Sequence, residues 1–368
     1  MLDLSSLSNE ELLQYKQQLE YDISKYNNTQ LAKKVQLNSA YGVCGNQYFR
    51  WYDIRLAEAV TKSGQLVIRW LESYINEYFN KTLKTNSDYV IASDTDSLIV
   101  TLEKMVDKCI PKDKQQNVDK VIDFMNRVCE DVLQPTINTA CNELAEYLNV
   151  KAQTIVMKRE VLADRAIWVT KKRYVMSVRD NEDVRMKDSE LKIMGIEAVR
   201  TSTPTVCREK IKEALKIILH GTETELQAFV EDFENLFLTL KIEDIAFPRT
   251  VNGLKKYHCD INTFIKGTPI HVRGSLLYNS CLKIKNVSKK YETIKEGEKI
   301  KFIYLKEPKM IQDTVIAFPD ILPKEFELNA FIDYNTQFEK TFVEPLSLIL
   351  NIVGWKPRTE KNLSAFFD

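Results

Sequence analysis

Two aspartates separated by one residue, Asp94 and Asp96 in Ser93-Asp94-Thr95-Asp96-Ser97, are costly neighbours. Each raises the other's pKa unless a cation lies close to both, and a divalent metal is the simplest such cation. Magnesium takes oxygen ligands, commonly one or two carboxylates plus substrate phosphates, so the pair suits a metal and nucleotide site. A solvated acidic turn is the commoner use of such a tetrad, because Asp and Ser favour turns on their own account. The apolar runs on either side, Tyr89-Val90-Ile91-Ala92 and Leu98-Ile99-Val100, argue against simple solvation. Upstream, Lys34, Asn38 and Tyr41 fall at i, i+4 and i+7 of an expected helix and form one stripe of a cation, an amide and an aromatic ring. A nucleoside triphosphate has matching parts in its phosphates, sugar and base. The same three residues also fit a solvent-facing helix with a stray lysine.

The elements that must hold these groups are predicted by pattern. The two apolar runs form a β-hairpin with Asp94 and Asp96 at its tip. Ser8 with Glu11 makes a capping box, and Leu12, Tyr15, Leu19, Ile23 and Tyr26 recur at helical steps. Asn27-Asn28 is expected to break that helix, and a second from about Thr29 to Tyr41 would complete an antiparallel helical hairpin. After the aromatic cluster of Tyr48, Phe49, Trp51 and Tyr52, a long helix is expected from Arg55 to about Phe79. Helices at Val118 to Leu133 and Ile137 to Leu148, divided by Pro135, precede three strands at Thr154 to Glu160, Ala166 to Thr170 and Arg173 to Val178, giving a sheet with helices on one side. From Gly195 onward the pattern is helical: Thr203-Pro204 opens one helix that His220-Gly221 stops, and Thr222 with Glu225 opens another. A lysine-rich, irregular or β-containing stretch covers Lys283 to Lys309, and a last helix runs from about Phe338 to Val353. The fold class is α+β.

Composition bounds the function. Of 368 residues, 44% are apolar and 10% aromatic, too rich in aromatics for a disordered chain. The length suits roughly two or three structural units. Lysine plus arginine equals aspartate plus glutamate at 52 each, so any polyanionic partner must be held by local clusters. Seven cysteines without a C-x-x-C pair fit neither a disulfide framework nor a zinc cage and are expected as reduced, mostly buried thiols. No stretch is long enough to cross a bilayer and no secretory leader is evident, so the expected compartment is the cytoplasm, with no membrane partner.

Lys34 to Gly42 reads K-x-x-x-N-S-x-Y-G, and Tyr89 to Ser97 reads Y-x-x-x-x-D-T-D-S. In that order the two resemble motifs of the family B DNA polymerases. Met157-Lys158-Arg159-Glu160, Lys171-Lys172-Arg173-Tyr174 and Leu191-Lys192-Ile193-Met194-Gly195 follow in register. Gly45-Asn46-x-x-Phe49-Arg50-x-Tyr52-Asp53 and His271-x-Arg273-Gly274 make the chain look most like the replicative polymerases of tailed phages, over nearly its whole length.

That resemblance implies a helical fingers hairpin in its second half at 1 to 45, the distal part of the palm at 46 to 195 as an antiparallel sheet covered by helices, and a mostly helical thumb at 196 to 368. Lys34 and Asn38 would grip the incoming dNTP, Tyr41 would pack beside the nascent base pair, and Gly42 would let the backbone approach closely. Asp96 would bridge two Mg2+ ions, Asp94 would be a nearby carboxylate, and Glu160 would steady the cluster without binding metal directly. Lys171, Lys172, Arg173, Tyr174 and Lys192 would contact primer–template DNA. The host cytoplasm is the implied setting.

The family also needs a further metal-binding aspartate in a D-x-x-S-L-Y segment on the strand beside the acidic hairpin. Asp3 to Ser8 imitates it only superficially, with serine in place of the tyrosine and a capped helix directly after. The expectation is therefore the C-terminal subunit of a split polymerase, inactive without an N-terminal partner chain that carries the missing aspartate and the exonuclease. An engineered fragment, a degenerate paralogue and a non-catalytic DNA- and clamp-binding module are the rival readings. Leu363, Phe366 and Phe367 resemble a sliding-clamp-binding peptide, with Pro357 to Asn362 as a solvated tether; the alternative is that they fold back onto the thumb.

Overall fold

The structure, a computed structural model, describes residues 8–257, 264–306 and 313–359. The chain divides into two compact units, Met1–Lys158 and Arg159–Asp368. Among the described residues no helix is long and apolar enough to cross a membrane. The six described cysteines are free thiols, three of them buried, and burial pushes the Cys207 thiol up to about 11.

The first unit opens with α1 (Asn9–Cys44), a helix of 36 residues. Ser8 caps it by accepting from the Glu11 amide, and the Glu11 carboxylate closes the box. The expected break at Asn27-Asn28 does not occur, so the helical hairpin expected there is one continuous helix about 54 Å long. Asparagine inside a helix costs only several tenths of a kcal/mol, too little to interrupt a run of good helix formers. None of its residues is buried. A turn in which the Asp53 amide donates to the Cys44 carbonyl at 2.9 Å leads into α2 (Ile54–Leu83). Ile68, Leu71, Ile75, Phe79 and Leu83 form its buried stripe.

The hairpin β1 (Val90–Asp94) and β2 (Ser97–Val100) follows, then α3 (Glu103–Cys109), α4 (Val118–Val128), a π-turn at Cys129–Leu133 and α5 (Gln134–Tyr147). Pro135 therefore does not divide two helices. Proline has no N–H to donate and its ring crowds the carbonyl four residues back, and the wider π-turn relieves both. Residues 154–160, expected as a strand, have no regular secondary structure and no ladder partner.

The second unit starts with a meander of β3 (Val161–Thr170), β4 (Arg173–Asn181) and β5 (Val184–Met194) in the order β3-β4-β5. Its third strand is thus 184–194, not 154–160, and β1–β2 form a separate sheet. Then come α6 (Thr205–His220), α7 (Glu223–Phe237) with the Thr222 and Glu225 capping box, α8 (Ile242–Ile245), β6 (Phe247–Thr250), α9 (Ile270–Ile284), β7 (Lys299–Tyr304), β8 (Val315–Phe318), α10 (Tyr334–Phe338), a second π-turn at Glu339–Val343, and α11 (Glu344–Val353). The sheet β6-β7-β8 is set within a region expected to be mostly helical. One continuous apolar core joins β4 to α6, α7, α9, β8 and α11. Phe233 and Phe342 meet edge to face at 4.7 Å within it. Gly274 lets α9 lie on β8, since a Cβ there would stand 2.8 Å from the Ala317 amide.

After α11 the chain does not become a free tether. The Lys356 amide donates to Glu223 Oε1 at 2.7 Å, and Thr359 Oγ1 donates to Gln227 Oε1 at 3.0 Å. Arg358 reaches Glu234 at 2.9 Å and Glu339 at 2.5 Å. The expectation of a solvated tether is corrected as far as Thr359, because arginine finds two carboxylates within reach. Leu363, Phe366 and Phe367 lie outside the described residues.

Candidate active site

The acidic hairpin is built from α2 outward. Asn76 Oδ1 accepts from the amides of Tyr89 at 2.7 Å and Val90 at 3.1 Å, and its Nδ2 donates to Asp88 at 2.8 Å. One turn on, Asn80 Oδ1 accepts from the Ser87 amide at 2.8 Å while its Nδ2 donates to the Ser87 carbonyl at 2.9 Å. Two amides at i and i+4 thus fix the entry to β1. Their spacing was readable in the sequence, but nothing there named the backbone they would hold.

Asp94 pairs with Ser97 across the hairpin, leaving Thr95 and Asp96 as its tip. Thr95 has φ +55, and the Asp96 amide donates to the Asp94 carbonyl at 2.6 Å, an i to i+2 bond. This is a γ-turn of the rare positive-φ kind on a β-branched residue, a conformation costing on the order of 1–3 kcal/mol. Thr95 Oγ1 donates to Asp94 Oδ1 at 3.1 Å, and Ser97 Oγ donates to the Asp94 carbonyl at 3.1 Å. Asp96 is exposed and Asp94 half-buried. Among the described residues no three His, Cys, Asp or Glu side chains gather to hold a metal. Two carboxylates on one tight turn fit magnesium, which fills its octahedron with water and phosphate oxygens.

Lys34, Asn38 and Tyr41 lie on the uninterrupted α1, all exposed. From Lys34 to Tyr41 the helix rises about 10 Å. Gly42 ends the stripe, and a Cβ there would meet nothing within 4 Å, so the space beside it is open.

In the second unit, Lys171 and Lys172 are exposed at the two-residue turn between β3 and β4. Arg173 Nη2 is instead committed to Glu197, at 3.0 and 3.1 Å from its two carboxylate oxygens. Tyr174 lies against Trp168 with ring centroids 5.8 Å apart. Lys192 is paired with Glu160 at 2.8 Å, and neighbouring Arg159 is tied to Asp180 at 2.6 Å and to Asp183. The motif resemblance that grouped these residues did not reveal the carboxylates that hold Arg173 and Lys192.

The sequence profile described as DNA polymerase family B matches residues 10–352. The chain is 34% identical over 355 residues to the DNA-directed DNA polymerase of Enterobacteria phage T4, covering 93% of this chain and 39% of that protein. To the DNA-directed DNA polymerase of Escherichia phage RB69 it is 34% identical over 354 residues, covering 92% and 38%. A DNA polymerase of Thermococcus gorgonarius matches at 25% over 306 residues, covering 82% and 32%. The chain thus spans about two fifths of the length of the phage relatives it matches. With both motif groups presented as described and the match running through both units, the chain belongs to the family B DNA polymerases.

Proposed function

We propose that this chain is the C-terminal part of a template-dependent DNA polymerase, transferring a nucleotide from a dNTP to a primer 3′-hydroxyl. The observation that carries the reading is the strained hairpin tip, where the Asp-Thr-Asp-Ser tetrad of a family B chain offers an exposed carboxylate at Asp96. Fingers would occupy 1–45, palm 46–195 and thumb 196–368.

Two magnesium ions, when bound, lower the pKa of the primer hydroxyl and neutralise charge on the triphosphate and the leaving pyrophosphate. Asp96 offers its carboxylate at the turn, with Asp94 behind it. Lys34 offsets charge on the phosphates, Asn38 orients the nucleotide by its amide, and Tyr41 and Gly42 face the nascent pair. Lys171 and Lys172 hold the primer–template backbone, a sequence-independent task suited to ammonium groups. Glu160 holds Lys192 in an ion pair at 2.8 Å and would act without binding metal directly. The setting is the host cytoplasm, and the tail from Leu363 to Asp368 would engage a sliding clamp.

The D-x-x-S-L-Y segment of the family has no full counterpart in this sequence, and α1 buries none of its side chains. Both fit a chain that works with a further polypeptide bearing the D-x-x-S-L-Y aspartate and an adjoining fingers helix. The experiment is primer extension by the purified chain with and without that polypeptide. Extension is expected only with both, through an interface of about 2,000 Å² or more. Robust magnesium-dependent extension by the chain alone, free of co-purifying protein, would overturn the split. Removing Leu363 to Asp368 should leave distributive extension unchanged and abolish stimulation by the cognate clamp.

A further inference from the structure

The lysine turn between β3 and β4 is braced from behind. Thr170 pairs with Arg173 across it, and Lys172 takes φ +62. β5 ends beside the turn, with Met194 opposite Tyr174, and Gly195 follows at φ +66. A Cβ on Gly195 would run into the carbonyl oxygen of Lys172 and stand 3.0 Å from Arg173 Cγ. A backbone carbonyl cannot swing aside as a long side chain can, so any other residue there must displace the turn itself.

A carboxylate completes the arrangement. Glu197, at 19% side-chain exposure, accepts from Arg173 Nη2 at 3.0 and 3.1 Å and lies 3.2 Å from Arg200 Nη1. Arg200 in turn donates from Nη2 to the Gly195 carbonyl at 2.9 Å. The chain from Gly195 to Arg200 is thereby clasped to the first residue after the lysines. Such charge-assisted bonds fix direction as well as distance.

We propose that Gly195, Glu197 and Arg200 are positioning residues that hold Lys171 and Lys172 in one presentation toward duplex DNA, with Arg173 serving this brace rather than the nucleic acid. The assignment rests on the reading of the two lysines as primer–template contacts. Lysine binds phosphate as a point charge, so what the brace supplies is the common direction of two ammonium groups on a turn that could otherwise reorient.

The test is binding of a fluorescein-labelled primer–template duplex to the full chain across a salt series, in a double-mutant design. Lys171→Ala with Lys172→Ala should weaken binding about tenfold and lower the salt slope by about 2. Gly195→Ala should weaken it about fivefold and lower the slope by about 1, and should change nothing further once both lysines are gone. Glu197→Gln, which keeps the side-chain shape and introduces no clash, should act about threefold in the same direction and carries the test should Gly195→Ala fail to fold. Equal weakening by the brace variants with and without the lysines overturns the brace alone. Unchanged binding after loss of both lysines overturns the contact assignment itself, and the brace with it.

Discussion

The two units use apolar residues in opposite ways. In Arg159–Asp368 a single cluster of buried side chains runs from Val175 in β4 to Leu350 in α11. Among the described residues of Met1–Lys158, buried apolar side chains gather in two smaller clusters, around Phe79 and around Leu71, and α1 belongs to neither. A helix in water gains most of its stability from burying a stripe against something else. Yet α1 shows Leu19, Ile23, Leu31 and Val35 to solvent at 44%, 59%, 58% and 55% exposure. The second unit is organised around one large core, whereas α1 of the first presents apolar side chains that pack on neither cluster.

Separating chemistry from stability gives the largest expected effect. In the reconstituted enzyme, Asp96→Asn should slow single-turnover incorporation about a thousandfold, near 4 kcal/mol, and leave thermal unfolding unchanged. A loss of less than about tenfold would overturn the proposed metal role of Asp96. Next, Leu215→Ala in α6, a fully buried site, should cost about 3 kcal/mol by denaturant titration. Leu31→Ala on α1 should cost less than about 0.5 kcal/mol in the chain alone, and more once the complementary polypeptide is bound. Equal costs at the two sites in the isolated chain would erase the contrast between the units.

A smaller effect is expected at Arg358, half-exposed between Glu234 and Glu339. Arg358→Ala should cost about 1 kcal/mol or less and speed hydrogen exchange at the Trp355 and Lys356 amides; protection unchanged there would mean that the bonds of these amides to the Leu350 carbonyl and the Glu223 carboxylate hold this segment without the arginine. The smallest is a pH effect. Burial holds the His220 imidazole below its ordinary range, Asp164 opposes this, and Arg165 and Arg179 add to it. Its Nε2 lies 2.9 Å from Ser177 Oγ. The unfolded chain then binds the proton at higher pH than the folded one, so stability is complete above about pH 6.5 and is lost as pH falls below it. His271, also depressed by burial and by Arg249, adds to that slope. His220→Asn should flatten the decline between about pH 7 and 5 in urea midpoints, and an unaltered slope would assign the decline to other groups.

What was legible in the sequence was local. The boxes at Ser8 with Glu11 and Thr222 with Glu225 are where expected, because each closes within four residues. The acidic hairpin likewise follows from its own two strands. What was not legible depended on distant partners. Residues 154–160 have the β-branched content of a strand, but a strand needs a neighbour, and the two edges of β4 are taken by β3 and by the charged run of β5. The strands β6, β7 and β8 pair across some seventy residues of chain from Phe247 to Phe318. At the candidate site, the types and order of Lys34, Asn38, Asp94 and Asp96 could be read directly. That Arg173 turns to Glu197 could not, since charge alone does not say which of two anions a guanidinium will choose.

Each π-turn is an α-helix carrying one residue too many. In the first the Gln134 amide bonds to the Cys129 carbonyl, in the second the Glu344 amide bonds to the Glu339 carbonyl, and a proline, Pro135 or Pro345, follows one residue later. A homologue without the proline has no need of the added residue, so one-residue insertions and deletions between relatives should gather at these two places inside helices as well as in loops. Deleting one residue from Cys129–Leu133 along with Pro135→Ala would restore a regular helix of the same register beyond it. Deleting the residue while keeping the ring would press that ring against the preceding turn. At both points the permitted length of the chain is set by a ring nitrogen that carries no hydrogen.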